Sequence, residues 1–182
     1  MQQPEDVRHV LFLCRDNAAL SPMAAALLDH WGRGRFRAWS AGWRPAPGVH
    51  ALAARTLRRA ELAGAILKPR SWAELGGADA PALRFVILLS HHLPDTPAPA
   101  FRGDPMLARW HVGDPAAVAG PPETQERAFD HAFREIEARV KLFASLPLDG
   151  LDRLAAERRL AEIEIALAAP AAPPGAAFTP AS

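Results

Sequence analysis

The sequence predicts an α/β fold: a doubly wound, four-stranded parallel sheet with helices on both faces and a C-terminal helical extension. Short apolar runs alternate along the chain with amphipathic stretches, which is the pattern of a parallel sheet covered on both sides. The length of 182 residues suffices for one such domain with an appendage. The composition, 49% hydrophobic and 23% charged, is typical of a globular protein.

The first half of the chain contains two predicted strands and two predicted helices. VLFLC at 10–14 is a continuous apolar run, typical of a buried strand. Ser21 is a favoured N-cap residue and Pro22 a favoured first helical residue, so a helix is expected through MAAALLDHW. FRAWSAG at 36–42 is a second strand that ends at a glycine. Residues 47–63 carry aliphatic side chains among small and basic residues, which favours an amphipathic helix.

The second half continues the alternation. LRFVILLS at 83–90 is the most apolar strand, and RWHV at 109–112 is a short fourth strand. Residues 123–146 form a helix, because large apolar side chains recur at spacings of three and four. A ragged apolar stripe predicts a further helix at 148–169.

These elements divide the chain into four parts. Residues 1–7 are expected to be disordered, 8–147 form the α/β domain, 148–169 form the C-terminal helix, and the Ala/Pro-rich residues 170–182 form a disordered tail. The C-terminal helix has two interpretations. It packs on its own domain, or it is an arm that pairs with a second subunit in a homodimer.

Composition excludes several classes of function. The formal net charge of +1 argues against nucleic acid as a partner, and no apolar run is long enough to cross a membrane. The polar start and the single cysteine favour a cytoplasmic protein without internal disulfides. No cofactor is indicated. His91 and His92 lack further ligands at metal-binding spacing, so no metal site is predicted.

The segment between the first strand and the first helix has the features of an anion-binding loop. Backbone amides and the helix dipole converge there, which favours phosphate or a similar oxyanion. Cys14 opens the loop, where that field would favour its thiolate. Asn17 tolerates a left-handed backbone, and the Ser21 hydroxyl would face the thiol. The remaining residues of the predicted anion site are Arg15, Ala18, Ala19 and Leu20.

The segment VLFLCRDNAALSPMAAALL resembles the opening of the low-molecular-weight protein tyrosine phosphatases and the thioredoxin-type arsenate reductases. Similar segments follow in order: SAG at 40–42, PRS at 69–71, FVILLS, WHVGDPAA at 110–117 and the helix AFREIEARVKLFA. The resemblance covers residues 8 to about 146. The matching residues of the loop are Cys14, Asn17, Ser21, Pro22 and Met23.

The resemblance implies a mechanism. Cys14 would attack phosphorus to form a cysteinyl-phosphate, Asp114 would be the general acid beside Pro115, Ser21 would assist the thiolate, and Asn17 would brace the loop. A phosphoprotein is the substrate class that this family implies. The residues expected at the pocket rim are Trp43, Arg44, Trp110 and Pro115.

The sequence departs from the family pattern at two loop positions. Leu20 replaces the family arginine, a planar donor for two phosphate oxygens, and Asp16 adds a carboxylate that opposes both an anion and the thiolate. The site is therefore expected to be weakened or inactive. Arg15 would compensate if its guanidinium reached the anion. The alternative is that it faces solvent or pairs with Asp16.

Three functions are compatible with this pattern. The first is a phosphomonoester hydrolase with an altered loop, and the second is an inactive relative that binds an oxyanion or a partner. The third, an arsenate reductase, would need an external thiol, because Cys14 is the only cysteine and Ser90 ends the third strand. Ala116 and Ala117 follow Asp114–Pro115 where some relatives have an aromatic wall, which leaves specificity for phosphotyrosine open.

Overall fold

The computed structural model describes residues 7–62, 68–89, 94 and 97–167. Four strands form one parallel sheet in the order β2-β1-β3-β4. The strands are β1 (Arg8–Cys14), β2 (Phe36–Gly42), β3 (Leu83–Leu88) and β4 (Met106–Arg109). The α-helices are α1 (Leu20–Trp31), α2 (Ala51–Arg59), α3 (Pro122–Ser145) and α4 (Arg153–Leu167). The predicted fold class, including the C-terminal helix, is confirmed.

Both faces of the sheet are covered by helical elements. The larger core packs α1 to α4 against alternate residues of the strands, among them Val10, Phe12 and Phe85. The smaller core on the opposite face contains the 3-10 helix Trp72–Leu75, which packs near Leu11. The alternation follows from the pleat of each strand, which sends successive side chains to opposite faces.

Some predicted boundaries shift. Strand β4 lies three residues earlier than the predicted 109–112, because Met106 pairs in register with Phe85 and the chain leaves the sheet after Arg109. Helix α2 is shorter than the predicted 47–63 and begins after His50, whose ring accepts the Leu52 amide hydrogen. Ser90, His91, His92 and the tail at 170–182 lie outside the described residues.

Helix α4 packs on the domain of its own chain. Its buried side chains Ala156, Leu160 and Ile163 join the larger core beside α3 and β4. This is the first of the two interpretations given for the C-terminal helix. In the parts of the chain that the structure describes, no helix has both the length and the apolar character needed to cross a bilayer.

Candidate active site

The loop between β1 and α1, residues 15–19, is tied to the segment 44–50 through its carbonyl groups. Three loop carbonyls accept backbone hydrogen bonds at 2.8 Å from the segment 44–50; they are those of Arg15, Asp16 and Ala18. The described chain has no cis peptide bond, and in a trans peptide the N–H points away from the carbonyl of the preceding residue. The N–H groups of Asp16, Asn17 and Ala19 therefore point away from the segment 44–50.

Asn17 holds the loop in shape from within. Its backbone has a φ of 52°, in the left-handed region that asparagine tolerates better than most residues. Its side-chain amide donates to Ser21 Oγ at 2.8 Å and accepts from the Arg70 N–H at 2.9 Å. Gly42 also lies close against the loop. A Cβ at this position would be 2.7 Å from the Arg15 carbonyl oxygen, so only glycine fits without a shift of the backbone.

The Cys14 thiol lies at the centre of this loop. Its Sγ is 3.0 Å from Ser21 Oγ, and the backbone N–H groups of Asn17 and Ser21 point at the sulfur. Ser21 does not cap α1 as the sequence predicted. The helix begins at Leu20, two residues before the predicted Pro22, with no side-chain cap. The fully buried Ser21 hydroxyl bonds to Cys14 and Asn17 instead.

The thiol is protonated at neutral pH. Burial is the largest influence and raises the pKa of Cys14 from its ordinary 9.0 to about 11, and the nearby Asp16 carboxylate raises it further. The hydrogen bonds from Ser21 and from the Asn17 amide act in the opposite direction, but they do not compensate for burial. The loop therefore holds the Cys14 thiol in place without favouring its thiolate.

Asp16 places a negative charge inside the site. Its Oδ1 accepts the Ala18 N–H at 3.0 Å, in a local turn, and lies 3.7 Å from Cys14 Sγ. The carboxylate thus satisfies a loop amide and faces the sulfur at the same time. A negative charge at this position disfavours both a bound anion and the thiolate.

We expect the Cys14 thiol to titrate near pH 11 and the Asp16→Asn variant to titrate at a lower pH, because the amide removes a negative charge that disfavours the thiolate. Thiolate absorbance followed during alkaline titration would measure both. The signal has one source, since the chain has a single cysteine and no tyrosine. A matched substitution away from the thiol, Asp130→Asn on α3, should leave the midpoint unchanged. An Asp16→Asn midpoint at or above that of the native protein would contradict this assignment.

Leu20 belongs to the hydrophobic core. Only 5% of it is exposed, and it packs with the larger core at the start of α1. An aliphatic side chain at this position donates no hydrogen bond to an anion. Ala18 and Ala19 are also buried and contribute only their backbone.

Asp114 follows the fourth strand at the edge of the sheet where Cys14 lies. Leu13 pairs with Leu88, and Leu88 with Arg109, so the carboxyl ends of β1, β3 and β4 lie side by side. Asp114 is exposed, and its Oδ1 accepts the Ala116 N–H at 2.9 Å, which caps the 3-10 helix that starts at the buried Pro115. The topology brings Asp114 and Cys14 to one edge of the sheet.

The residues predicted at the rim, taken together with the loop residue Arg15, separate into an exposed and a buried group. Arg15 and Arg44 are exposed near the loop, and the Arg44 N–H donates to the Arg15 carbonyl at 2.8 Å. Trp43 is largely buried in the smaller core, with its ring 6.0 Å from that of Trp72. Trp110 is fully buried against Phe12 and Phe143, so it forms part of the core rather than the rim.

Three side chains outside the predicted site contact one another near the segment that carries Asp114, and we call them the Arg139–Glu164–His111 group. Glu164 on α4 accepts from the His111 N–H at 3.0 Å and lies 2.9 Å from its Nδ1. Arg139 on α3 donates from Nε to Glu164 at 3.3 Å. The sequence pattern could have indicated Arg139, because it lies three residues after Ile136 and four before Phe143, on the apolar face of its helix.

The described residues contain no cluster of three or more histidine, cysteine, aspartate or glutamate side chains that could hold a metal ion. Every group identified at the site is a side chain or backbone amide of this chain.

No protein-family model matches the chain, and no curated protein matches it. Several solved structures match the chain. An arsenate reductase from Archaeoglobus fulgidus is 26% identical, with a TM-score of 0.57, over 75% of this chain and 99% of its own. Wzb from Vibrio vulnificus, solved with benzylphosphonate, is 17% identical, with a TM-score of 0.57, over 76% of this chain and 97% of its own. A low-molecular-weight phosphotyrosine phosphatase from Vibrio cholerae is 16% identical, with a TM-score of 0.54, over 75% and 93%.

Proposed function

This chain has the fold of the low-molecular-weight phosphotyrosine phosphatases and the arsenate reductases, and from that premise we propose that it is a cysteine-dependent phosphomonoester hydrolase with a weakened anion loop. One observation carries the proposal. The Cys14 sulfur faces the backbone N–H groups of Asn17 and Ser21, with the Ser21 hydroxyl 3.0 Å away. Such a loop is the arrangement that receives a phosphoryl group and stabilises the sulfur that leaves it.

The reaction has two steps. The Cys14 thiolate attacks phosphorus, the bond from phosphorus to the ester oxygen breaks, and Asp114 gives its proton to that oxygen. Water then attacks the cysteinyl-phosphate while the Asp114 carboxylate takes its proton, and the bond from sulfur to phosphorus breaks. The Ser21 hydroxyl donates a hydrogen bond to the departing thiolate. Inward-facing loop amides receive the phosphate oxygens.

Two features make this hydrolase slow. With a thiol pKa of about 11, only about one molecule in ten thousand carries the thiolate at pH 7. Leu20 supplies no donor for the charge that develops on the phosphoryl oxygens. Between pH 7 and the midpoint of the thiol titration, the rate should rise about tenfold for each pH unit when the leaving group needs no proton.

A second function is favoured by the position of Asp16. Its carboxylate lies against the loop amide of Ala18 and beside Cys14, where it takes the place of an external anion. In that case the chain is a non-catalytic relative that acts through a partner, and phosphate does not enter the loop. The third candidate, arsenate reduction, has less support, because no second cysteine is present to resolve an oxidised Cys14 within the chain.

Turnover of nitrophenyl phosphate separates these candidates. We expect slow, pH-dependent hydrolysis by the native protein, none by Cys14→Ser, and a cysteinyl-phosphate trapped by acid quenching. Serine is the matched control because its hydroxyl keeps the contact with Ser21 but is far less nucleophilic at these pH values. The proposal of a Cys14-dependent hydrolase is contradicted if Cys14→Ser hydrolyses the ester as fast as the native protein. Absence of turnover, with vanadate bound only after Asp16→Asn, would establish the non-catalytic relative.

A further inference from the structure

We propose that Glu164 is a positioning residue for Asp114, and that α4 is therefore a working part of the catalytic segment rather than an appendage. We call residues 110–115 the acid segment. The role given to Asp114 rests on the proposed function, but the contacts that hold the acid segment do not.

A single carboxylate joins three elements of the fold. Glu164 lies on α4, and its Oε1 accepts the backbone N–H of His111 at 3.0 Å and faces His111 Nδ1 at 2.9 Å. Its Oε2 accepts from Arg139 Nε on α3 at 3.3 Å. Glu164 thus holds both the main chain and the side chain of a residue three positions before Asp114.

Glu164 is itself held in a fixed position by Arg139. The Arg139 side chain is 2% exposed, and its guanidinium also donates to the Glu135 carbonyl at 3.2 Å and to the Leu167 carbonyl at 3.4 Å. The last of these bonds caps the C-terminal end of α4, where carbonyls lack helical partners. Burial alone would raise the pKa of Glu164, but hydrogen bonds from His111 and the Arg139 charge lower it, so the group is a carboxylate at neutral pH.

The acid segment is anchored on both sides of Asp114. Before it, Trp110 and Val112 are buried in the core, and His111 is tied outward to Glu164. After it, Pro115 is buried and starts the 3-10 helix. Gly113 precedes Asp114, and a Cβ added to Gly113 would have no other heavy atom within 4 Å. Glycine restricts its backbone less than other residues, so the Glu164 contact limits how far the chain before Asp114 can move.

The sequence resemblance to the phosphatases ends near residue 146, so α4 supplies a contact that the resemblance does not provide.

An exposed residue on the same helix serves as the control. Glu162 pairs with Arg159, one turn away on α4, and both side chains are more than half exposed. Glu162→Ala should leave the acid segment and the rate unchanged.

The test compares two esters in Glu164→Ala, Glu164→Gln and Glu162→Ala. Phenyl phosphate needs a proton on its leaving oxygen, whereas dinitrophenyl phosphate does not. We expect Glu164→Ala to lower turnover of phenyl phosphate by at least about tenfold and to leave dinitrophenyl phosphate within about twofold. Glu164→Gln, which keeps an acceptor for the His111 amide, should recover part of the loss. Equal losses on both esters would mean general damage and would overturn the proposal, as would no loss on either.

Hydrogen exchange separates this proposal from the hydrolase itself. In Glu164→Ala the amides of residues 111–117 should exchange faster than in the native protein and in Glu162→Ala, whether or not either ester is hydrolysed. Faster exchange in a protein without turnover would retain the positioning role and reject the hydrolase. Unchanged exchange would overturn the positioning role even if the hydrolase is active.

Discussion

Replacing Leu20 with arginine is expected to raise turnover of nitrophenyl phosphate by about a hundred- to a thousandfold. Losing one preorganised donor to a developing anion costs about 3–4 kcal/mol in other enzymes, and an arginine here would restore a charged, bidentate donor. The new cation would also favour the Cys14 thiolate and offset the charge of Asp16. Initial rates at neutral pH, with Leu20→Arg and the native protein side by side, would measure the gain.

Two controls isolate the guanidinium. Leu20→Met keeps an apolar side chain of similar volume and should change turnover little, and Leu20→Arg combined with Cys14→Ser should show none. Because Leu20 is buried in the core, the thermal midpoint of each variant must be followed as well. A folded Leu20→Arg protein that neither binds vanadate nor gains turnover would contradict an anion loop at this position.

Replacing Arg139 with leucine is expected to lower the free energy of unfolding by about 3 kcal/mol. The substitution removes three hydrogen bonds of a fully buried guanidinium and leaves Glu164, which is 18% exposed, without its cation. It also removes the donor that satisfies the Leu167 carbonyl at the end of α4. Urea unfolding of both proteins at neutral pH measures the difference.

The double variant Arg139→Leu/Glu164→Leu tests the cause of that loss. If the cost comes mainly from the unpaired carboxylate, removing the carboxylate should recover much of the stability, because apolar side chains of similar volume replace buried ion pairs well. Lys141→Leu, on the same helix, removes a half-exposed side chain that pairs with the partly buried Glu137 and lies over the Trp31 ring, and it should cost less than about 1 kcal/mol. If the losses of free energy from the two single variants add in the double variant, the cost comes from lost packing and not from the unpaired carboxylate.

Local patterns predicted most of the fold. The apolar run at 10–14, the run at 83–90 and the spacing of large apolar residues at 123–146 each correspond to an element with nearly the same bounds. The fourth strand shows the limit of such patterns. Trp110 and Val112 alternate like strand residues, but their burial comes from the core around α3, and pairing with β3 ends at Arg109.

The site was predictable in identity and less so in arrangement. The chemistry of cysteine, asparagine and serine after a strand indicated the loop, and Cys14, Asn17 and Ser21 contact one another as their proximity suggests. Ser21 was expected both to cap α1 and to face the thiol, and only the contact with the thiol is present. Trp110 was expected at the rim and is buried in the core. A serine before a helical run has the same local signature whether its hydroxyl caps the helix or turns toward a sulfur, and an isolated tryptophan gives no direction.

The sequence by itself determined the fold class and the place of the thiol, because strand and helix periods and the loop between them are properties of neighbouring residues. Only the tertiary structure decided the state of the thiol and the role of the C-terminal helix. Burial of Cys14 depends on the helices that cover it, and Glu164 reaches His111 across 53 positions of the chain. Charges that meet at such a separation leave no local signature, since the packing of the folded chain alone brings them together.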